Sequence, residues 1–102
     1  MAITQLKTKM TKLLKANGFV KAEVKKEWGH PKFKHAGFEY NDIIVTNVIT
    51  YHIPIGVFEE NERELRTKEK INEIYQCLDN NGFQNNIKRD GNFAIQIFEN
   101  DR

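Results

Sequence analysis

Ile3, Leu6, Met10 and Leu13 recur at intervals of three and four residues, with Leu14 beside them. On a helix these positions share one arc of about a third of the circumference. Lys9, Lys12 and Lys15 fall outside the arc and Lys7 at its border, so the pattern predicts an amphipathic helix with one core side and one charged side. Asn17-Gly18 supplies a left-handed exit, and Phe19 is placed to cover the last turn. Val20, Ala22 and Val24 then alternate with Lys21, Glu23 and Lys25, the period of a half-buried strand.

From Trp28 to Phe38 the chain is punctuated by Gly29, Pro31 and Gly37 and reads as irregular, with Phe33 starting at most a short strand. Ile43–Ile53 is the clearest strand, rich in Ile, Val and Thr. Apolar residues occupy both its odd and even positions, which predicts a central strand, bulged near Asn47. Pro54 and Gly56 end it. Residues 59–66 are polar and fit an exposed helix or a loop. From Lys68 the helical period is firm: Ile71, Ile74, Tyr75 and Leu78 share an arc, Cys77 lies beside it, and Thr67 is the candidate N-cap. After Asn81-Gly82 a hairpin is predicted, with strands Phe83–Lys88 and Phe93–Phe98 about a turn at Arg89–Asn92, and a frayed end beyond.

Asn-Gly-Phe follows a helix twice, at residues 17–19 and 81–83, either by duplication of a helix–strand unit or by convergent use of one good junction. The predicted architecture is a single α+β domain over residues 1–102, in the order α-β-(β)-β-α-β-β. Its sheet is mixed or antiparallel, with two helices packed on one face. The other sheet face is open or closes a homodimer.

Composition narrows the class. At 102 residues and 39% hydrophobic, the chain is large enough for one core and too apolar for wholesale disorder. No stretch approaches the roughly 18 apolar residues of a membrane span, and the lysines scattered through the first 15 residues do not make a signal peptide. One cysteine forms no internal disulfide or thiolate cluster, so the expected setting is cytoplasmic.

The net charge of +2 conceals a marked asymmetry. Residues 1–35 hold nine lysines against Glu23 and Glu27, a net of +7, whereas residues 36–102 carry −5. Much of the acid is one block: Glu59, Glu60, Glu62, Glu64, Glu69 and Glu73. The basic third contains no arginine, which suits a delocalised attraction to a polyanion or an acidic protein better than bidentate recognition.

Nothing in the chain spells out a catalytic chemistry. His30 and His35 are separated by Pro31, His52 lies on a strand, and a metal site from His30, His35 and Asp42 has no diagnostic spacing. Cys77 reads as a structural thiol, the glutamate block as a solvated face, and no glycine-rich phosphate loop is present. No enzyme activity, metal or cofactor is expected. Basic residues interleaved with aromatics, by contrast, suit a phosphate backbone and its bases. Lys9, Lys12, Lys15, Lys21, Lys25, Lys26, Lys32 and Lys34 are the candidate phosphate-facing charges, and Trp28 the candidate stacking residue; core filling is the competing role for Trp28 and Phe33.

Gly29-His30-Pro31-Lys32-Phe33 and Thr67-Lys68-Glu69-Lys70 resemble, over about residues 3–80, the His-Pro loop and second-helix start of double-stranded RNA-binding domains. Glu69 within the second motif, Glu60, Glu62 and Glu64 before it and the C-terminal hairpin depart from that family, and the chain is not assigned to it. The expected function is therefore non-catalytic contact with DNA or RNA. The alternative is an accessory or inhibitor protein of a phage or mobile element, whose lysines meet the acidic surface of a larger nucleic-acid-handling complex. Trp28→Ala separates the two roles of that residue: a stacking tryptophan leaves the melting temperature intact while binding falls, whereas a core tryptophan costs about 3–5 kcal/mol of stability.

Overall fold

The computed structural model describes residues 2–27, 30–43, 46–54 and 58–99, with the side chains of residues 24–27, 30–34 and 43 outside that description. Along the chain lie α1 (Ile3–Ala16), β1 (Glu23–Glu27), β2 (His30–His35), β3 (Gly37–Ile43), β4 (Thr46–His52), α2 (Glu60–Leu78), β5 (Ile87–Asp90) and β6 (Ala94–Ile97). β3, β4, β6 and β5, in that spatial order, form an antiparallel sheet, and β1 and β2 form a separate antiparallel ribbon. This is an α+β fold with both helices on one sheet face. No helix among the described residues is long and apolar enough to cross a membrane.

The arcs predicted for the helices are the ones buried. Leu6, Met10 and Leu14 of α1 and Ile71, Ile74 and Leu78 of α2 meet Phe38, Ile49, Ile87, Ile95 and Ile97 of the sheet in one core. α1 ends as its sequence requires: Gly18 takes φ +88°, the Phe19 amide donates to the Leu14 carbonyl at 3.0 Å, and the Gly18 amide donates to Lys15 at 3.2 Å. These are the paired bonds of a Schellman cap. At the other end, where α1 has no capping side chain of its own, the Glu99 carboxylate accepts the Ile3 amide at 2.8 Å. That bond places an acid at a helix N-terminus and ties down a tail expected to fray. Both Asn-Gly-Phe junctions use one device, an asparagine side chain donating to the carbonyl four residues back, Asn17 to Leu13 at 2.9 Å and Asn81 to Cys77 at 2.7 Å. Both glycines take the left-handed exit, with φ +88° at Gly18 and +93° at Gly82, and the two continuations differ only beyond the phenylalanine.

Several boundaries depart from the periodicity, each for a physical reason. The long strand predicted over Ile43–Ile53 is divided: Ile43 pairs with Thr46 and Asp42 with Asn47, so the chain reverses there, and the ladder is regular at Asn47. What was central about it survives in β4, which lies between β3 and β6 with Val48 and Ile49, adjacent and on opposite faces, both buried. The segment read as irregular holds β2 and β3. Pro31, which cannot donate to a ladder, sits in a two-stranded ribbon with a free edge, where the loss is tolerated. α2 begins at Glu60, earlier than its apolar period: Glu60 and Glu62 favour its first turn, Arg66 pairs with Glu62 at 3.3 Å, and Thr67 is interior, bonding back to the Arg63 carbonyl at 2.8 Å. β5 starts at Ile87 because residues 84–86 turn first, the Asn86 amide donating to Phe83 at 2.9 Å. The hairpin loop then falls at residues 91–93, leaving Phe93 exposed.

One close approach joins the ribbon to the sheet. The Phe38 amide donates to Val20 at 3.0 Å and the Ala22 amide donates to Phe38 at 2.8 Å, so residues 20–22 run parallel to the start of β3. A β-carbon on Gly37 would fall 2.6 Å from the Lys21 carbonyl carbon and 2.7 Å from the Val20 oxygen, and closer still to the Ala22 nitrogen, all backbone atoms that cannot rotate aside. Gly37→Ala is expected to lower stability by about 1–3 kcal/mol and to accelerate exchange of the Phe38 and Ala22 amides. Gly18→Ala, which adds its methyl to open space, costs about 1–2 kcal/mol through backbone strain and leaves those two amides protected. Urea unfolding with hydrogen exchange checks both.

Candidate basic surface

α1 contains four lysines and no acidic residue. Because its apolar arc is committed to the core, Lys9, Lys12 and Lys15 are driven outward, and all three are exposed. Their ammonium groups make no ion pair, hydrogen bond or ring contact among the described residues. Lys7, at the border of the arc, is different. It lies 3.6 Å from the Asp42 carboxylate and 5.8 Å from the centre of the Tyr40 ring, with 27% of its side chain exposed, so its charge is already used at home.

Tyr40 is the organising side chain here, and the sequence pattern alone does not single it out. Its hydroxyl pairs with Thr11 Oγ1 at 2.8 Å and donates to the Lys7 carbonyl at 3.2 Å, and its ring meets Phe38 edge-on at 5.9 Å. The exposed Lys21 also reaches this ring, at 5.8 Å. Tyr40 thereby fastens α1 to β3 and carries two lysines at its ring. The alternation of Phe38 and Tyr40 with Glu39 and Asn41 was the available signal, masked by the glycine and proline just before it.

β1 and β2 carry the remaining candidates. The backbone register sets Lys25 opposite Lys32 and Lys26 opposite Pro31, and it slips between Glu23 and Val24, leaving Lys34 as the extra residue between Phe33 and His35. At the foot of the ribbon His35 Nε2 lies 3.5 Å from a Glu23 carboxylate oxygen. Trp28 lies outside the described residues. The structure thus groups Lys9, Lys12 and Lys15 on one helix face, sets Lys21 where the chain passes from α1 towards β1, and carries Lys25, Lys26, Lys32 and Lys34 on the ribbon. The acidic block stands on another element: Glu59 precedes α2, and Glu60, Glu62, Glu64, Glu69 and Glu73 lie along it.

The residues weighed for catalysis are dispersed. Asp42 lies at the far end of β3 from His35 and binds Lys7, while His52 meets Glu39 at 2.8 Å on the sheet face turned away from the helices. That face carries a short polar chain, in which Asn41 donates to Thr50 Oγ1 at 2.7 Å and Thr50 lies 3.1 Å from His52 Nε2. No group of three or more His, Cys, Asp or Glu side chains among the described residues is placed to share a metal ion. Burial pushes the Cys77 thiol up, away from the thiolate a nucleophile needs.

No protein-family model, curated protein or solved structure matches the chain. The surface therefore stands on its own chemistry.

Burial raises Tyr40 and Tyr51 above the ordinary phenol value of 10.0, helped at Tyr51 by the Glu73 charge, while the Thr11 hydrogen bond partly offsets it at Tyr40. The unfolded chain therefore releases these protons first as pH rises, so the stability they contribute is complete below about pH 10 and lost through the folded-state values above it. The urea midpoint is expected to fall as pH rises above about 10, and less steeply in Tyr40→Phe and Tyr51→Phe. An unchanged slope in both variants would contradict this placement.

Proposed function

We propose that this protein is a non-catalytic nucleic-acid-binding protein that holds the phosphate backbone through α1, Lys21 and the β1–β2 ribbon. The observation that carries the reading is the outward face of α1. Lys9, Lys12 and Lys15 stand there without an acidic neighbour on the helix and without an internal partner among the described residues. A row of unneutralised cations holds counter-anions, and a polyanion gains free energy by releasing its own condensed cations on meeting it. The β1–β2 ribbon adds Lys25, Lys26, Lys32 and Lys34 to the same third of the chain. Lysine, a compact and strongly hydrated charge, suits contact that is indifferent to sequence.

The test reverses Lys12, Lys15 and Lys25 together to glutamate and measures binding to DNA and RNA oligonucleotides at about 50 and 200 mM salt. The wild-type protein is expected to bind with affinity that falls steeply with salt. The triple variant should bind all sequences more weakly, its log–log salt slope shallower by roughly 0.7–0.9 for each phosphate no longer engaged. Unchanged affinity and slope would overturn the reading. Absence of binding at the lower salt would leave the lysines to an acidic protein surface, as in an accessory or inhibitor of a larger complex.

A further inference from the structure

Beneath the N-terminal half of α2, where β4 leaves the sheet, lies a cleft of about 330 Å³. Tyr51, Ile53, Pro54 and Phe58 make it predominantly apolar, and Arg66, Lys70 and His35 stand around it. Three features make it more than a gap between elements. The Arg66 guanidinium lies 4.8 Å from the centre of the Phe58 ring and 3.3 Å from Glu62, which sets a cation beside the aromatic wall. Lys70 is positioned by the Phe19 ring, 6.0 Å away, and by Glu73 at 3.8 Å. The Tyr51 hydroxyl has no hydrogen-bond partner among the described residues, and a phenol at neutral pH is a ready donor. The carboxylates that balance Arg66 and Lys70 do not line the cleft, and exposed pairs of this kind contribute only about 0–1 kcal/mol, so an anion displaces them at little cost.

An apolar slot with aromatic walls and cations around it suits a planar ring joined to an anionic group. We infer that the cleft receives one unpaired nucleobase of a bound strand, its neighbouring phosphate meeting Arg66 and Lys70. The inference rests on the nucleic-acid reading above and deepens it. His35, which ends β2, contributes to the cleft, so the foot of the lysine ribbon and the cleft adjoin. A strand tracking the ribbon backbone therefore arrives where a base can leave the stack. The ligand is single-stranded, because a paired base has no free face to offer.

The test compares three fluorescent probes by anisotropy at about 50 mM salt: a thymidine strand of about 20 nucleotides, an abasic strand of equal length and charge, and a duplex of the same length. The base-bearing strand is expected to bind about tenfold more tightly than the abasic one, the scale of a single base–aromatic contact, and more tightly than the duplex. Arg66→Gln and Phe58→Ala, each checked for folding by circular dichroism, should shrink that preference while the salt slope set by the lysines persists. Arg66 is on the surface, so its variant keeps the test decisive where Phe58→Ala unfolds. Equal affinity for base-bearing and abasic strands, with salt-dependent binding intact, overturns the cleft assignment and leaves the basic surface standing. Failure of the wild-type protein to bind any of the probes overturns both. Adenosine monophosphate alone binding as tightly as the strand would also overturn the assignment, giving the cleft to a free nucleotide.

Discussion

The arrangement of this protein depends on the approach of residues 20–22 to Gly37 and Phe38. Two backbone hydrogen bonds, from Phe38 to Val20 and from Ala22 to Phe38, form only because position 37 has no side chain. They fix the exit of α1 against the edge of the four-stranded sheet and give β1 its direction. Phe38 contributes its side chain to the core and its backbone to this junction, so core packing and ribbon placement share one residue. The Schellman cap on α1 and the Tyr40 hydroxyl on Thr11 then set the helix, and with it the outward direction of Lys9, Lys12 and Lys15.

Charge follows from packing in this molecule. An amphipathic helix with four lysines and no acid has to turn cations towards solvent once Leu6, Met10 and Leu14 are buried. The lysine at the border of the apolar arc is the one that acquires an internal partner, Asp42, while the three beyond it acquire none among the described residues. α2 treats its charges differently, pairing Arg66 with Glu62 and Lys70 with Glu73 along its own surface. Among the described residues, one helix is thus left with an outward row of unpaired cations, while the other pairs part of its charge along its own surface.

The legible parts of the sequence were those whose cause is local. The arc of Ile3, Leu6, Met10 and Leu14, the Asn-Gly exits of both helices and the doubly buried centre of β4 are each written within a few residues. β2 was hidden because Pro31 reads as a breaker, and its tolerance there depends on a free ribbon edge that only the topology supplies. The start of α2 was hidden because charge and i,i+4 pairing, not apolar period, hold its first two turns. The basic residues could be named from the sequence, whereas Tyr40, which holds Lys7 and Lys21, and the grouping of Phe58 with Arg66 are products of tertiary contact. That Glu99 would cap α1 across 96 residues has no local signal at all.

The central claim is that the unneutralised face of α1, continuing into the ribbon, is where a polyanion lies. Chemical-shift mapping tests it most directly: the ¹⁵N-labelled protein titrated with an unlabelled single-stranded oligonucleotide at low salt. The account predicts that the largest amide shifts fall at Lys9, Lys12, Lys15, Lys21 and along residues 23–35, with smaller shifts where Arg66 and Lys70 border the cleft and the His52 face of the sheet unmoved. Shifts centred on the His52 face, or none anywhere, would contradict it.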